Sequence, residues 1–318
     1  MTKQFLLALC LVATSGFSQS GRIEQAQKLY ESRKYPEVAN MLSVVKEEDK
    51  DYAAAQYWLG RVAFDQKKFD DAQDYFEGAV DANAKVADYY NWLGNTYGTI
   101  AQNANVFKQG ILAPKMKSAW EKAIALDSKN IDARISLIRY YTQAPGFMGG
   151  SYEKAKEVAA QIFKLNLAQG HRQLGNILTS EKKVAEAEKE YLEMVKADPA
   201  YSSVLANFYV VQKQYDKAFN LFEESVKKNP DDYVAIYQIG RTAAVTGQKL
   251  ERGEECLKKY LVYSPKQNEP SHAGANMRLG QIYEKKGNKW EAKKLYETAL
   301  SLDASLKEAK EGLERTSK

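Results

Sequence analysis

The chain has 318 residues, 44% of them hydrophobic and 27% charged, which excludes a disordered polymer and suits two ordinary domains or one long repeat array. Its 46 basic and 41 acidic side chains are scattered along the whole length, with no basic block interleaved with aromatics, so no nucleic-acid-binding surface is expected. Seven prolines among many Ala, Leu, Tyr, Lys and Glu favour helix.

Residues 1–20, "MTKQFLLALCLVATSGFSQS", run from one lysine through an apolar stretch, Phe5 to Ala13, into small polar residues. That is the order of a secretory signal peptide, and the apolar stretch is too short to span a bilayer. Export to a periplasm or cell envelope is expected, with cleavage near Ser18–Ser20 and a mature chain starting around Gly21. Cys10 follows Leu9 inside the apolar stretch, where a lipid-modified cysteine does not belong. Once it is removed, Cys256 is the only thiol, so no internal disulfide and no multi-Cys metal site is expected.

From residue 21 the chain repeats itself. Residues 21–52 contain "QAQKLYESRKYPEVANMLSVV", a degenerate unit with Ala26 and Val38 where later units carry their smallest residues. Residues 53–86, "AAAQYWLGRVAFDQKKFDDAQDYFEGAVDANAKV", give the clearest unit. Its Leu59, Gly60, Ala63, Ala72, Phe76 and Ala79 are spaced as in two short helices packed face to face. The same columns return down the chain. One small column holds Gly60, Gly94, Gly175, Ala206, Gly240 and Gly280; a second holds Ala72, Ala155, Ala187, Ala218, Gly253 and Ala292. A large residue follows at Phe76, Trp120, Tyr191, Phe222, Leu257 and Tyr296, and Pro199, Pro230 and Pro265 mark ends of units.

These columns resemble the tetratricopeptide repeat (TPR), a 34-residue helix–turn–helix. The resemblance implies an all-α fold, a right-handed TPR superhelix (α-solenoid) of about seven to eight units. The array covers 53–305, with units at 53–86, 87–130, 131–167, 168–198, 199–232, 233–267 and 273–305. Residues 306–318 form a terminal helix whose Leu306 and Leu313 cover the last repeat, as an open-ended stack requires.

Two units depart from the pattern. Met116 replaces the usual Ala in the second small column of 87–130, and Ile138 and Ala159 exchange large for small in 131–167. Both units also carry extra residues between their helices, about ten and about five relative to the repeat length. The second insertion, "QAPGFMGGSYEK", has no preceding strand and no Gly-Lys-Ser/Thr, so it reads as a helix–helix turn, with an anion-holding loop as the weaker alternative. The surrounding stretch resembles a group of exported bacterial TPR proteins with an Ala-Pro…Gly-Gly interruption here. Phe107, Ile111 and Leu112 of the first insertion and Phe147 and Met148 of the second form a candidate docking edge, or pack on one another.

No catalytic constellation stands out: His171 and His272 lie in different repeats, and there is no nucleophile elbow, zinc-helix motif or nucleotide fingerprint. No enzyme activity, metal or cofactor is expected. In TPR arrays the first helices line a concave groove. Here those columns hold Tyr57, Trp58, Arg61, Phe64, Asn91, Trp92, Asn95 and Arg139, then Arg172, Asn176, Asn207, Tyr237, Arg241 and Arg278. Aromatics and Arg carry binding energy at interfaces, and Asn can pair with both polar groups of a peptide backbone. The carboxylate clamp of some cytosolic TPR domains is missing, since Asn91 stands where it has Lys. The expectation is a scaffold or adaptor that binds a protein or peptide partner of unknown identity within a bacterial envelope complex. The alternative is a carbohydrate or small-ligand carrier using the same groove.

Overall fold

The computed structural model describes residues 19–266 and 268–317. The expected signal segment, Cys10 included, lies outside them except for Gln19 and Ser20. The described residues form seventeen α-helices and two short 3-10 turns, with no strand. By their contacts they divide at Asn166 and Leu167 into two bodies.

In the N-terminal body the helices pair in chain order: α1 (Gln19–Glu31) with α2 (Tyr35–Leu42), α3 (Tyr52–Asp65) with α4 (Phe69–Ala82), α5 (Ala87–Gln102) with α6 (Val106–Leu126), and α7 (Ile131–Gln143) with α8 (Tyr152–Phe163). The C-terminal body continues with α9 (Leu167–Ser180) and α10 (Val184–Ala197), α11 (Ser202–Val211) and α12 (Tyr215–Lys228), α13 (Tyr233–Thr246) and α14 (Leu250–Leu261), then α15 (His272–Lys285) and α16 (Lys289–Leu302). A final helix, α17 (Lys307–Thr316), packs on α16. Consecutive pairs of this kind are the arrangement of an α-solenoid.

The small columns explain how each pair closes. A β-carbon built on Gly60 would lie 2.8 Å from the Phe76 ring; on Gly175, 2.9 Å from the Tyr191 ring; on Gly280, 2.9 Å from the Tyr296 ring. Each first helix thus seats the large residue of its own second helix against bare backbone. Ala72, Ala187 and Ala292 are completely buried in the second column. The connections repeat too. Arg33, Lys67, Lys182, Lys213 and Lys249 adopt positive φ between paired helices, as does Gly287. There the chain turns back, as when Lys67 and Lys68 donate to the carbonyls of Phe64 and Ala63.

The ends are closed by packing. Ala26, Val38 and Leu42 of the degenerate first pair are buried against Ala55, Leu59 and Val62 of α3. At the other end Leu306 and Leu313 flank Ala309, which is buried with Tyr296 and Ala299.

The expected first insertion differs. Residues 103–105 are all that separate α5 from α6, so the extra residues are helix and no long loop exists. Asn105 is the reason: its side chain accepts from the Lys108 amide and starts α6 early, giving a helix of 21 residues. The second insertion is a turn. Pro145 O accepts from the amides of Met148 and Gly150, Gly146 O from Gly149, and Tyr141 O from Ser151. Gly149 has φ +94°, and a β-carbon on Gly150 would collide with the Ala144 carbonyl. The amides of Met148, Gly149, Gly150 and Ser151 are thus committed internally and do not form a nest for a phosphate.

A candidate binding cleft in the N-terminal body

The first helices α3 and α5 bring together an aromatic cluster around one guanidinium. Arg61 lies 3.9 Å above the Trp92 ring and 4.9 Å from that of Tyr30. Its Nη1 donates to Tyr57 Oη at 2.9 Å and its Nη2 to Tyr30 Oη at 3.0 Å. Trp58 packs on Tyr30 and on Tyr57, with ring centroids 5.1 Å and 5.3 Å apart. The groove candidates Tyr57, Trp58 and Arg61 therefore contact one another and Tyr30. Trp92 is gripped on several sides, by Arg61, by the edge of Phe64 at 5.2 Å, and by Phe76 stacked at 6.1 Å. Such a ring is held ready before any ligand arrives.

Beyond this cluster lies a cleft of 590 Å³ between α5, α6 and α7, a volume within the range of ligand sites. Five groove candidates line it: Phe64, Asn91, Trp92, Asn95 and Arg139. Asn95 Oδ1 accepts from the Trp120 indole N–H and the Ser136 hydroxyl, both at 3.0 Å. Because indole nitrogen can only donate, this pair fixes which end of the Asn95 amide faces Trp120, and its NH2 group has no partner among the described residues. Asn91 is buried, and its Oδ1, closed off from solvent, has no hydrogen-bond partner among the described residues. Two charged residues of the lining, Asp132 and Arg139, are exposed, and neither side chain forms an ion pair among the described residues.

Several walls were not foreseen from the columns. Met116 and Trp120 come from α6, Tyr140 and Gln143 from α7, and Pro145 and Met148 from the Gly-rich turn. The turn is tied to the cleft by the Tyr140 hydroxyl, which donates to the Met148 carbonyl. Gln109, in the early turns of α6, donates to the carbonyls of Ala101 and Ala104 and closes the same end. The signal was present in the sequence, since Met116 breaks the second small column. Residues from both anomalous units thus converge on one recess.

The proposed docking edge is distributed differently from its sequence order. Phe107, Ile111 and Phe147 are exposed, Leu112 is buried, and Met148 faces the cleft. In the C-terminal body the remaining groove candidates are bonded to near neighbours. Arg172 lies 5.8 Å from the Tyr201 ring, Asn176 accepts from Tyr191 Oη, and Asn207 donates to the Ser203 carbonyl. Tyr237 is buried, Arg241 donates to Gln238, and Arg278 forks onto Glu308 at 2.6 and 3.2 Å.

The histidines also have structural partners. His171 Nδ1 is 2.8 Å from Glu190, and His272 Nε2 donates to the Tyr263 carbonyl at 2.7 Å. Among the described residues no group of three or more His, Cys, Asp and Glu is placed to hold a metal. No helix there is long and apolar enough to cross a membrane.

Models of the tetratricopeptide repeat match residues 17–87 and 59–97 at one end of the chain and 273–306 at the other. A solved tetratricopeptide repeat protein from Parabacteroides merdae is similar over 95% of this chain and 99% of its own, with 15% identity and a TM-score of 0.55. A thermophilic TPR protein from Thermus thermophilus is 16% identical over 60% of this chain and 97% of its own, with a TM-score of 0.47. At 15% identity the Parabacteroides likeness is one of fold. Tetratricopeptide repeats are thus matched at both ends of the chain, and glycine or alanine seated under a large residue repeats the same closure in the pairs between them.

Proposed function

We propose that the chain is an interaction scaffold, and that the cleft between α5, α6 and α7 takes a segment of a partner protein. The observation that carries this reading is the state of the cleft's polar groups. The Asn95 NH2 group and the exposed Arg139 guanidinium have no hydrogen-bond partner among the described residues, while the rings around them are fixed. Unspent hydrogen-bonding capacity beside preset aromatic surface is what an interface presents before its partner binds. The order of residues in 1–20 supports an exported location, so the partner is sought among periplasmic or envelope proteins.

A photo-crosslinking amino acid at Gln143, which is exposed on the cleft wall, tests the reading in the native host. A single polypeptide should be captured there and not from the exposed Lys196 position in the C-terminal body. Trp92→Ala or Arg139→Ala should lower the yield about ten-fold or more, the loss expected for an interface anchor. Equal yields from wild type and both variants would dismiss the cleft as the binding site. Captured glycan in place of polypeptide would support the carrier alternative.

A further inference from the structure

We infer that the outer face of α6 docks on an anionic lipid surface, resting in its interfacial layer without spanning it. Val106, Phe107, Gly110, Ile111 and Pro114 recur at the spacing of one helical stripe, and all five are exposed. Phe107 is 87% exposed and Ile111 63%. The opposite face of the same turns is already committed: Leu112, Ala113 and Met116 are buried, and Gln109 closes the cleft. Helix α6 thus begins apolar on two sides, a pattern that belongs to a covered helix. These first turns are the residues by which the unit exceeds the repeat length, so closing the helix pair does not require their outer face to be apolar.

The charges decide what covers the stripe. Lys108, Lys115 and Lys117 border it, and no Asp or Glu occurs from Tyr89 to Trp120. Lys115 lies 5.4 Å from the Tyr97 ring and forms no ion pair among the described residues. Two carboxylates come near, Asp70 at 3.9 Å from Lys108 and Glu121 at 3.6 Å from Lys117. Both pairs are open to solvent and hold their lysines weakly. A second copy of the chain would set these lysines against the same lysines. A protein partner would need an apolar trough edged with carboxylates to receive a convex ridge. An anionic bilayer offers both features without a shaped counterpart: acyl chains yield to Val106, Phe107 and Ile111, and headgroup phosphates meet the lysines.

A fluorophore whose emission moves to the blue in apolar surroundings tests this on the full chain. One label goes at Gly110→Cys, where an added side chain meets nothing within 4 Å. The control label goes at Val262→Cys, 85% exposed in the C-terminal body. Cys10→Ser removes the other competing thiol, since Cys256 is buried. With phosphatidylglycerol vesicles the label at position 110 should move to the blue and be quenched by brominated acyl chains, while the one at 262 stays unchanged. Phosphatidylcholine vesicles should need about ten-fold more lipid for half the response, as expected for several lysines near an anionic surface. Phe107→Ser should raise the phosphatidylglycerol requirement about ten-fold, through loss of one inserted aromatic side chain. Equal responses at both labels, equal responses to the two lipids, or a Phe107→Ser protein that titrates like wild type would overturn the lipid assignment. A blue shift that grows with protein concentration in the absence of vesicles would overturn it in favour of a second copy. No vesicle response, with a polypeptide captured by a photo-crosslinker at Ile111 in the native host, would give the face to a protein partner.

Discussion

Gly60 and Gly110 carry the same side chain in opposite surroundings. A methyl on Gly60 would press into the Phe76 ring at 2.8 Å, whereas one on Gly110 meets nothing within 4 Å. Gly60→Ala should therefore cost roughly 1–3 kcal/mol by overpacking. Gly110→Ala, inside α6, should gain up to about 1 kcal/mol through helix propensity. Urea denaturation of the two variants measures both signs. At Glu254 burial alone would raise the carboxyl, but hydrogen bonds from Lys258 (2.6 Å), Lys286 (2.8 Å) and Tyr283 (2.6 Å) outweigh it and hold the pKa down at about 2. A depressed carboxylate stabilises the fold above its unfolded value near 4.5 and loses that contribution as pH falls toward 2. Stability should thus drop between pH 5 and pH 2 (about those limits), and Glu254→Gln should shrink the drop by about 1 kcal/mol, a modest figure because the lysines are partly in solvent.

Helix starts and stops decide the shape of the cleft. Asn105 opens α6, and Gln109 on the next turn reaches back to the last carbonyls around α5. Asn105→Ala should cost about 1 kcal/mol of helix stability and loosen that end of the cleft. Thermal unfolding together with the Gln143 crosslink would register both effects. Removing residues 307–318 should expose Tyr296 and the apolar residues beside it, seen as a lower melting temperature and increased binding of a hydrophobic dye. The paired helices were readable because small and large residues alternate at fixed intervals and because helix-backed sequence has few ways to satisfy those columns. The early start of α6 was not, because "NANVFKQGIL" looks like polar loop until one asparagine is recognised as a cap. For the cleft, Asn91, Trp92, Asn95 and Arg139 followed from their places on first helices. Met116, Trp120 and Tyr140 escaped, since a column reading assigns them to packing, and only the displaced Met116 marked an opening among them.

At the scale of the molecule, a chain built from stacked pairs is stabilised mainly by contacts between neighbours. Glu254→Gln should accordingly weaken amide-exchange protection in α13 to α16 and leave α3 to α6 unchanged. Uniform loss across both bodies would contradict that locality. Fluorescence helps to separate the two: Trp58, Trp92 and Trp120 belong to the N-terminal body, and Trp290 stands exposed in the other. The Gly-rich turn beside the cleft has a practical consequence of its own. Its shape is held by main-chain bonds and two glycines, so the Phe147 side chain, 82% exposed, contributes nothing to keeping it folded. A cysteine exchanged for that phenylalanine would give a stiff mast for a dye or spin label, signalling occupancy from just outside the binding space.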